Sequence, residues 1–141
     1  MSLFFREADI SCGVEEKSSV KKWVANVAKL HGATLGEICI VSCSDKYLLE
    51  VNIEHLNHDY YTDIITFDYS GEEGVSGDLL ISFDRVRENA ETEGVSFQDE
   101  LRRVIIHGVL HLIGFKDKTD GEAQEMRAQE NKALEMFHVE Q

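Results

Sequence analysis

Ile64 to Phe83 reads IITFDYSGEEGVSGDLLISF, and its reading decides how the rest of the chain is arranged. Ile64–Tyr69 and Asp78–Phe83 are runs of strand length, rich in β-branched and aromatic side chains. Gly71, Glu72, Glu73, Gly74 and Gly77 lie between them, so the two strands are expected to pair as a hairpin. Upstream, Glu37–Ser42 (EICIVS) predicts a buried strand and Leu3–Arg6 a shorter one. Between these, Val20, Trp23, Val24, Val27 and Leu30 recur at helical spacing over Glu15–Leu30, with Gly32 just past the end. Ser44 is placed to cap a helix over Asp45–His55 whose apolar face is Tyr47, Leu48 and Val51.

Downstream, Arg85–Glu93 predicts a helix ending at Gly94. Ser96, with Asp99 and Glu100 behind it, opens another whose pattern Leu101, Val104, Ile105, Val109, Leu112 runs to Gly114. A last helix is expected over Asp120–Phe137. The order β-α-β-α-β-β-α-α-α implies an α+β fold: a small single domain over 1–141, with a central mixed four-stranded sheet and about five helices packed on it.

Composition agrees and sets limits. The chain has 141 residues, 43% of them hydrophobic, which suits one core of ordinary size. Three cysteines without a CxxC pair suggest neither a disulfide framework nor a cysteine zinc site, and a reducing cytoplasm fits them. No apolar run approaches a membrane span. A formal charge of −13 argues against broad binding to DNA or anionic membrane.

The chemistry lies at His107-Gly-Val-Leu-His111. Four residues apart on a helix, the two imidazoles stand about 40° apart in azimuth and about 6 Å along the axis, so both can reach one ion. Gly114 can stop the helix and reverse the chain, bringing Asp117 over the histidines. Two nitrogens and one oxygen with a fourth position open describe a catalytic zinc site; nickel, cobalt or iron would accept the same donors. The plainer reading is a pair of packed, hydrogen-bonded histidines. A peptidase is disfavoured, because the general-base glutamate that follows the first histidine in HExxH is here Gly108.

The segment HGVLHLIGFKD resembles the HGxLHLxGYDH signature of the YbeY family of bacterial endoribonucleases. Asn52 with Thr62-Asp-Ile-Ile-Thr-Phe67 is similar to that family's N…TDVLSF segment, and Gly77-Asp-Leu-Leu-Ile-Ser82 to its GDIxIS strand. Glu125-Met126 and Glu130 fall in its closing helix. The resemblance implies a single-strand-specific, zinc-dependent endoribonuclease of the cytoplasm that matures the 3′ end of small-subunit rRNA and serves ribosome quality control. Its partners would be single-stranded RNA, the small ribosomal subunit and associated proteins or a GTPase. His107 and His111 match the family's first two metal ligands, and Asp117 replaces its third histidine. A carboxylate there lowers the net charge of the bound ion's site and weakens its Lewis acidity.

Leu56 stands where the family has an arginine, removing a bidentate phosphate contact for which Arg103 or Lys116 are candidate substitutes. Asp63 and Asp78, in the matched motifs, are candidates for orienting a ligand histidine or the substrate ribose. Tyr61 replaces a family proline. With His55, His58, Asp59 and Tyr60 it forms either a stacking patch for single-stranded RNA or an exposed polar loop. The Leu56 departure also keeps open an assembly factor that binds ribosomal RNA or protein and cuts little.

The acid excess is uneven. Residues 1–84 carry 15 acids and 6 bases, 85–118 carry 6 of each, and 119–141 carry 6 and 2. The segment holding the metal motif is therefore neutral, and an ion there would make a local positive focus. Arg102, Arg103, Lys116 and Lys118 are its candidate RNA contacts.

Overall fold

The computed structural model describes residues 2–139. The elements follow the expected order: β1 Ser2–Glu7, α1 Lys17–Leu30, β2 Leu35–Cys43, α2 Asp45–Leu56, β3 Ile64–Asp68, β4 Val75–Ser82, α3 Phe83–Glu93, α4 Phe97–Ile113 and α5 Asp120–Val139. The sheet runs β1-β2-β4-β3. β1, β2 and β4 are parallel, and β3 closes one edge antiparallel to β4, as the hairpin reading requires. Among the described residues no helix is long and apolar enough to cross a membrane.

Alternation along the strands divides the interior in two. Ile38, Ile40, Leu79 and Ile81 point into the main core with α1, α3, α4 and α5; Val41, Cys43, Ile65 and Leu80 point the other way, under α2. Trp23 lies in the main core, where its indole N–H donates to the Ala133 carbonyl at 2.6 Å and ties α1 to α5.

Two expectations are corrected. Gly77 belongs to β4 and not to the loop, which closes on a bridge between Gly71 and Gly74. It is needed for space: a Cβ there would overlap the Phe67 carbonyl oxygen and stand 2.9 Å from Leu112. In α2, Tyr47 is exposed and the buried partner of Leu48 is Asn52, because that polar side chain closes the loop that follows.

Candidate metal centre

The site is built on α4. Ser96 starts the helix by accepting the Asp99 N–H at 3.1 Å, and Asp99 and Glu100 complement the dipole in the first turn. The middle of α4 is buried except at Arg103, His107 and His111, a stripe of period four along one line of the helix. Gly108 lets this helix lie low on the sheet: a Cβ would meet Ile64 at 2.8 Å and Leu79 at 2.9 Å. The histidines are thereby carried to the free edge of β3. Gly114, at φ 127°, ends the helix with its N–H on the Leu110 and His111 carbonyls, and the reversed chain brings Asp117 back over both rings.

The three donor atoms form a triangle. His107 Nε2 and His111 Nε2 are 3.1 Å apart, and Asp117 Oδ2 is 3.3 Å from each. Tetrahedral ligands bonded to zinc at about 2.0–2.1 Å stand about 3.3–3.4 Å from one another, so the side chains present fit one ion without rearrangement. The expected trio is brought together.

Behind the triangle, Glu130 Oε2 lies 2.6 Å from His107 Nδ1. In the neutral imidazole this fixes the proton on Nδ1 and leaves the Nε2 lone pair facing the donor triangle. Glu130 is itself held: Arg103 donates to its other oxygen at 2.9 Å and to Asn131 Oδ1 at 2.9 Å. Burial pushes the His107 pKa down, but the hydrogen bond and charge of Glu130, helped by Asp117 and Asp63, outweigh it and leave it above the ordinary histidine value. For Glu130, burial favours the protonated form, yet the bonds from His107 and Arg103 hold its carboxyl below the usual range. Burial raises Asp63, an effect partly offset by His107 and nearby backbone N–H groups.

A cleft of about 430 Å³ opens at the triangle, with Thr62, Asp63, Ile64, Thr66 and Asp68 as one wall and α4 with Asp117 as the other. Hydrogen bonds from Ser82 N to Asp63 O and from Tyr69 N to Ser76 O set the phase of the hairpin. Odd-numbered residues of β3 pair with β4, so Ile64, Thr66 and Asp68 turn their backbone groups out from the sheet edge. A second lobe of about 290 Å³ lies behind, against Glu100, Arg103, Arg127 and Glu130; Asp63, His107 and Asp117 border both.

The other candidate residues separate. Asp63 is at the junction of the two lobes. Asp78 points to the opposite face of the sheet, where its carboxylate accepts from Tyr69 at 3.4 Å. Arg103 is engaged by Glu130 and Asn131, and Lys116 is exposed on the turn outside both lobes. Arg102 is not available to RNA: it is buried, bonds Asp99 at 2.6 Å and covers the Phe137 ring at 4.2 Å. Leu56 is exposed at the end of α2. Glu130 was not among the candidates. Its signal is its place on the stripe Met126, Glu130, Ala133, Phe137, a charged residue on the buried face of α5.

Comparison with known proteins agrees with this architecture. Residues 6–138 match the family model described as Endoribonuclease YbeY. A relative of that name from Bacteroides thetaiotaomicron is 54% identical over 121 residues, covering 86% of this chain and 88% of its own. Another, from Parabacteroides distasonis, is 46% identical over 140 residues and 99% of both chains. A solution structure from Thermotoga maritima superposes with a TM-score of 0.73 at 25% identity, over 99% of this chain and 91% of the other.

Proposed function

This chain belongs to the YbeY family of endoribonucleases, and from that premise we propose that it is a zinc-dependent, single-strand-specific enzyme whose ion is held by His107, His111 and Asp117. The observation that carries the reading is the triangle of two imidazole nitrogens and one carboxylate oxygen at 3.1–3.3 Å, at the head of a cleft. The donor set suits a borderline transition metal and not magnesium or calcium. When bound, the ion would supply Lewis acidity toward a phosphodiester.

The chain's own groups prepare that chemistry. Glu130 keeps the His107 proton on Nδ1, and Arg103 keeps Glu130 in place. Asp63, at the junction of the lobes, is the carboxylate we assign to substrate. The free edge of β3 leaves the cleft open along one side, which a single strand can enter and a duplex, with its bases paired inward, fills less well. In this reading the whole chain acts as one domain in the cytoplasm, on small-subunit rRNA, with ribosomal partners supplying affinity that the acidic body does not.

One observation favours a second reading. The wall of the metal cleft has no Lys or Arg, and Leu56 leaves the family arginine unreplaced. An assembly factor that binds its ion but turns over poorly would have such a cleft. Metal analysis combined with cleavage of a labelled single-stranded RNA by wild type and His111→Ala separates the two. We expect one zinc per chain and cleavage by wild type, with both lost in the variant. Zinc without cleavage in wild type supports the assembly factor, and cleavage that survives His111→Ala refutes the metal mechanism.

A further inference from the structure

The loop that leads into the cleft presents an aromatic face to solvent. His58 and Tyr60 stack with ring centroids 5.1 Å apart and planes inclined by 19°, and the Tyr60 hydroxyl lies 2.9 Å from His58 Nδ1. Tyr60 is 55% and Tyr61 56% exposed. The loop is pinned from beneath. The main-chain carbonyl of buried Asn52 accepts the backbone N–H groups of Asn57 and His58, and its side-chain Nδ2 donates to the Tyr60 carbonyl at 2.9 Å. Arg85 sits 5.6 Å from the Tyr61 ring. Asn57 takes a positive φ of 56° to make the turn. Hydrogen bonds thus hold the rings in place while leaving them out of both hydrophobic clusters.

The place of these rings matters. Tyr60 precedes Asp63 by three residues, so its backbone lies within about 11 Å of the backbone of Asp63, which lines both lobes. The adjoining wall is acidic, with Asp63, Asp68 and Asp117; Arg103 and Arg127 of the second lobe both face Glu130, and Arg85 beside Tyr61 is engaged by Asp45 at 2.8 Å. Gripping phosphates is therefore poorly provided for at the cleft. Stacking on an aromatic face needs no positive charge and is open only to bases that are not enclosed in a duplex.

From this we infer that the His58–Tyr60 stack, with Tyr61 beside it, is the platform on which unpaired bases of the RNA substrate are seated, giving this enzyme its single-strand preference through bases and not through phosphates. The inference rests on the endoribonuclease reading above and names the residues that select its substrate.

Steady-state cleavage of a single-stranded RNA by wild type, Tyr60→Ala and Tyr60→Phe tests it. Stacking made equally in ground and transition states raises KM when lost and leaves kcat in place. Tyr60→Ala is expected to raise KM by about five- to a hundredfold. Tyr60→Phe keeps the ring but loses the hydroxyl bond to His58 and is expected to raise KM clearly less than Tyr60→Ala, and both variants should keep the wild-type metal content. An abasic RNA of the same length should inhibit wild type and Tyr60→Ala equally. Wild-type cleavage with an unchanged KM in Tyr60→Ala overturns the platform alone, as does a KM rise matched by Tyr60→Phe. Wild type that neither binds nor cuts the RNA overturns the endoribonuclease reading and the platform with it.

Discussion

At the scale of single residues, one carboxylate outside the donor triangle holds His107 in place. Glu130 is 6% exposed at its side chain and serves two partners, His107 and Arg103. Replacing it by Gln keeps the shape but removes the charge that makes His107 a better donor. Glu130→Gln is expected to weaken zinc binding by about 10–100-fold, read by competition with a chelating dye, while the circular dichroism spectrum stays that of wild type. Equal zinc affinity would show that Glu130 only packs. The histidine pair and Asp117 were legible because helical spacing and a glycine stop carry their geometry within eleven consecutive positions, 107–117. Glu130 was hidden because its bond crosses 23 residues of sequence and joins two helices whose mutual packing no local pattern encodes. Arg102 misled for a related reason: its guanidinium folds inward against Asp99 and Phe137, which its surroundings in sequence do not announce.

At the scale of elements, the close seat of α4 on the sheet brings the histidines to the edge of β3, and two glycines make that seat. Gly108 meets Ile64 and Leu79, whose side-chain ends can move aside. Gly77 meets the Phe67 carbonyl, which belongs to the β3 backbone and cannot. Gly77→Ala should therefore lower the stability of the fold by about 1–3 kcal/mol, measured by urea unfolding, through separation of α4 or β3 from β4. An unchanged midpoint would show that the hairpin tolerates more room than its register allows. The hairpin itself was legible from its two β-rich runs. The place of Gly77 was not, since a glycine beside Gly71 and Gly74 reads as part of the turn until the register Asp68 to Gly77 is known. Ser44 and Ser96 were recognisable as helix caps because a cap is a local bond, each hydroxyl accepting an N–H three residues on.

At the scale of the whole molecule, a body of formal charge −13 carries a cleft whose donors could hold a metal ion. The alternation of strands and helices was enough to give the α+β class and four strands in a mixed sheet. It did not say that α2 alone would cover the second face of the sheet, which depends on which side each crossover takes. Charge read by segment placed the neutral stretch over the metal motif, but the acidic wall is assembled in space from Asp63 and Asp68 of one segment and Asp117 of another. An ion in the triangle then accounts for both the crowding of three donors and the approach of a polyanion to an acidic protein. X-ray absorption at the zinc edge of the purified, metal-replete protein tests this most directly. One zinc per chain is expected in a shell of nitrogen and oxygen at about 2.0–2.1 Å, with the outer scattering of two imidazoles that disappears in part in His107→Ala. A sulfur shell at about 2.3 Å, or a spectrum indifferent to His107→Ala, would contradict it.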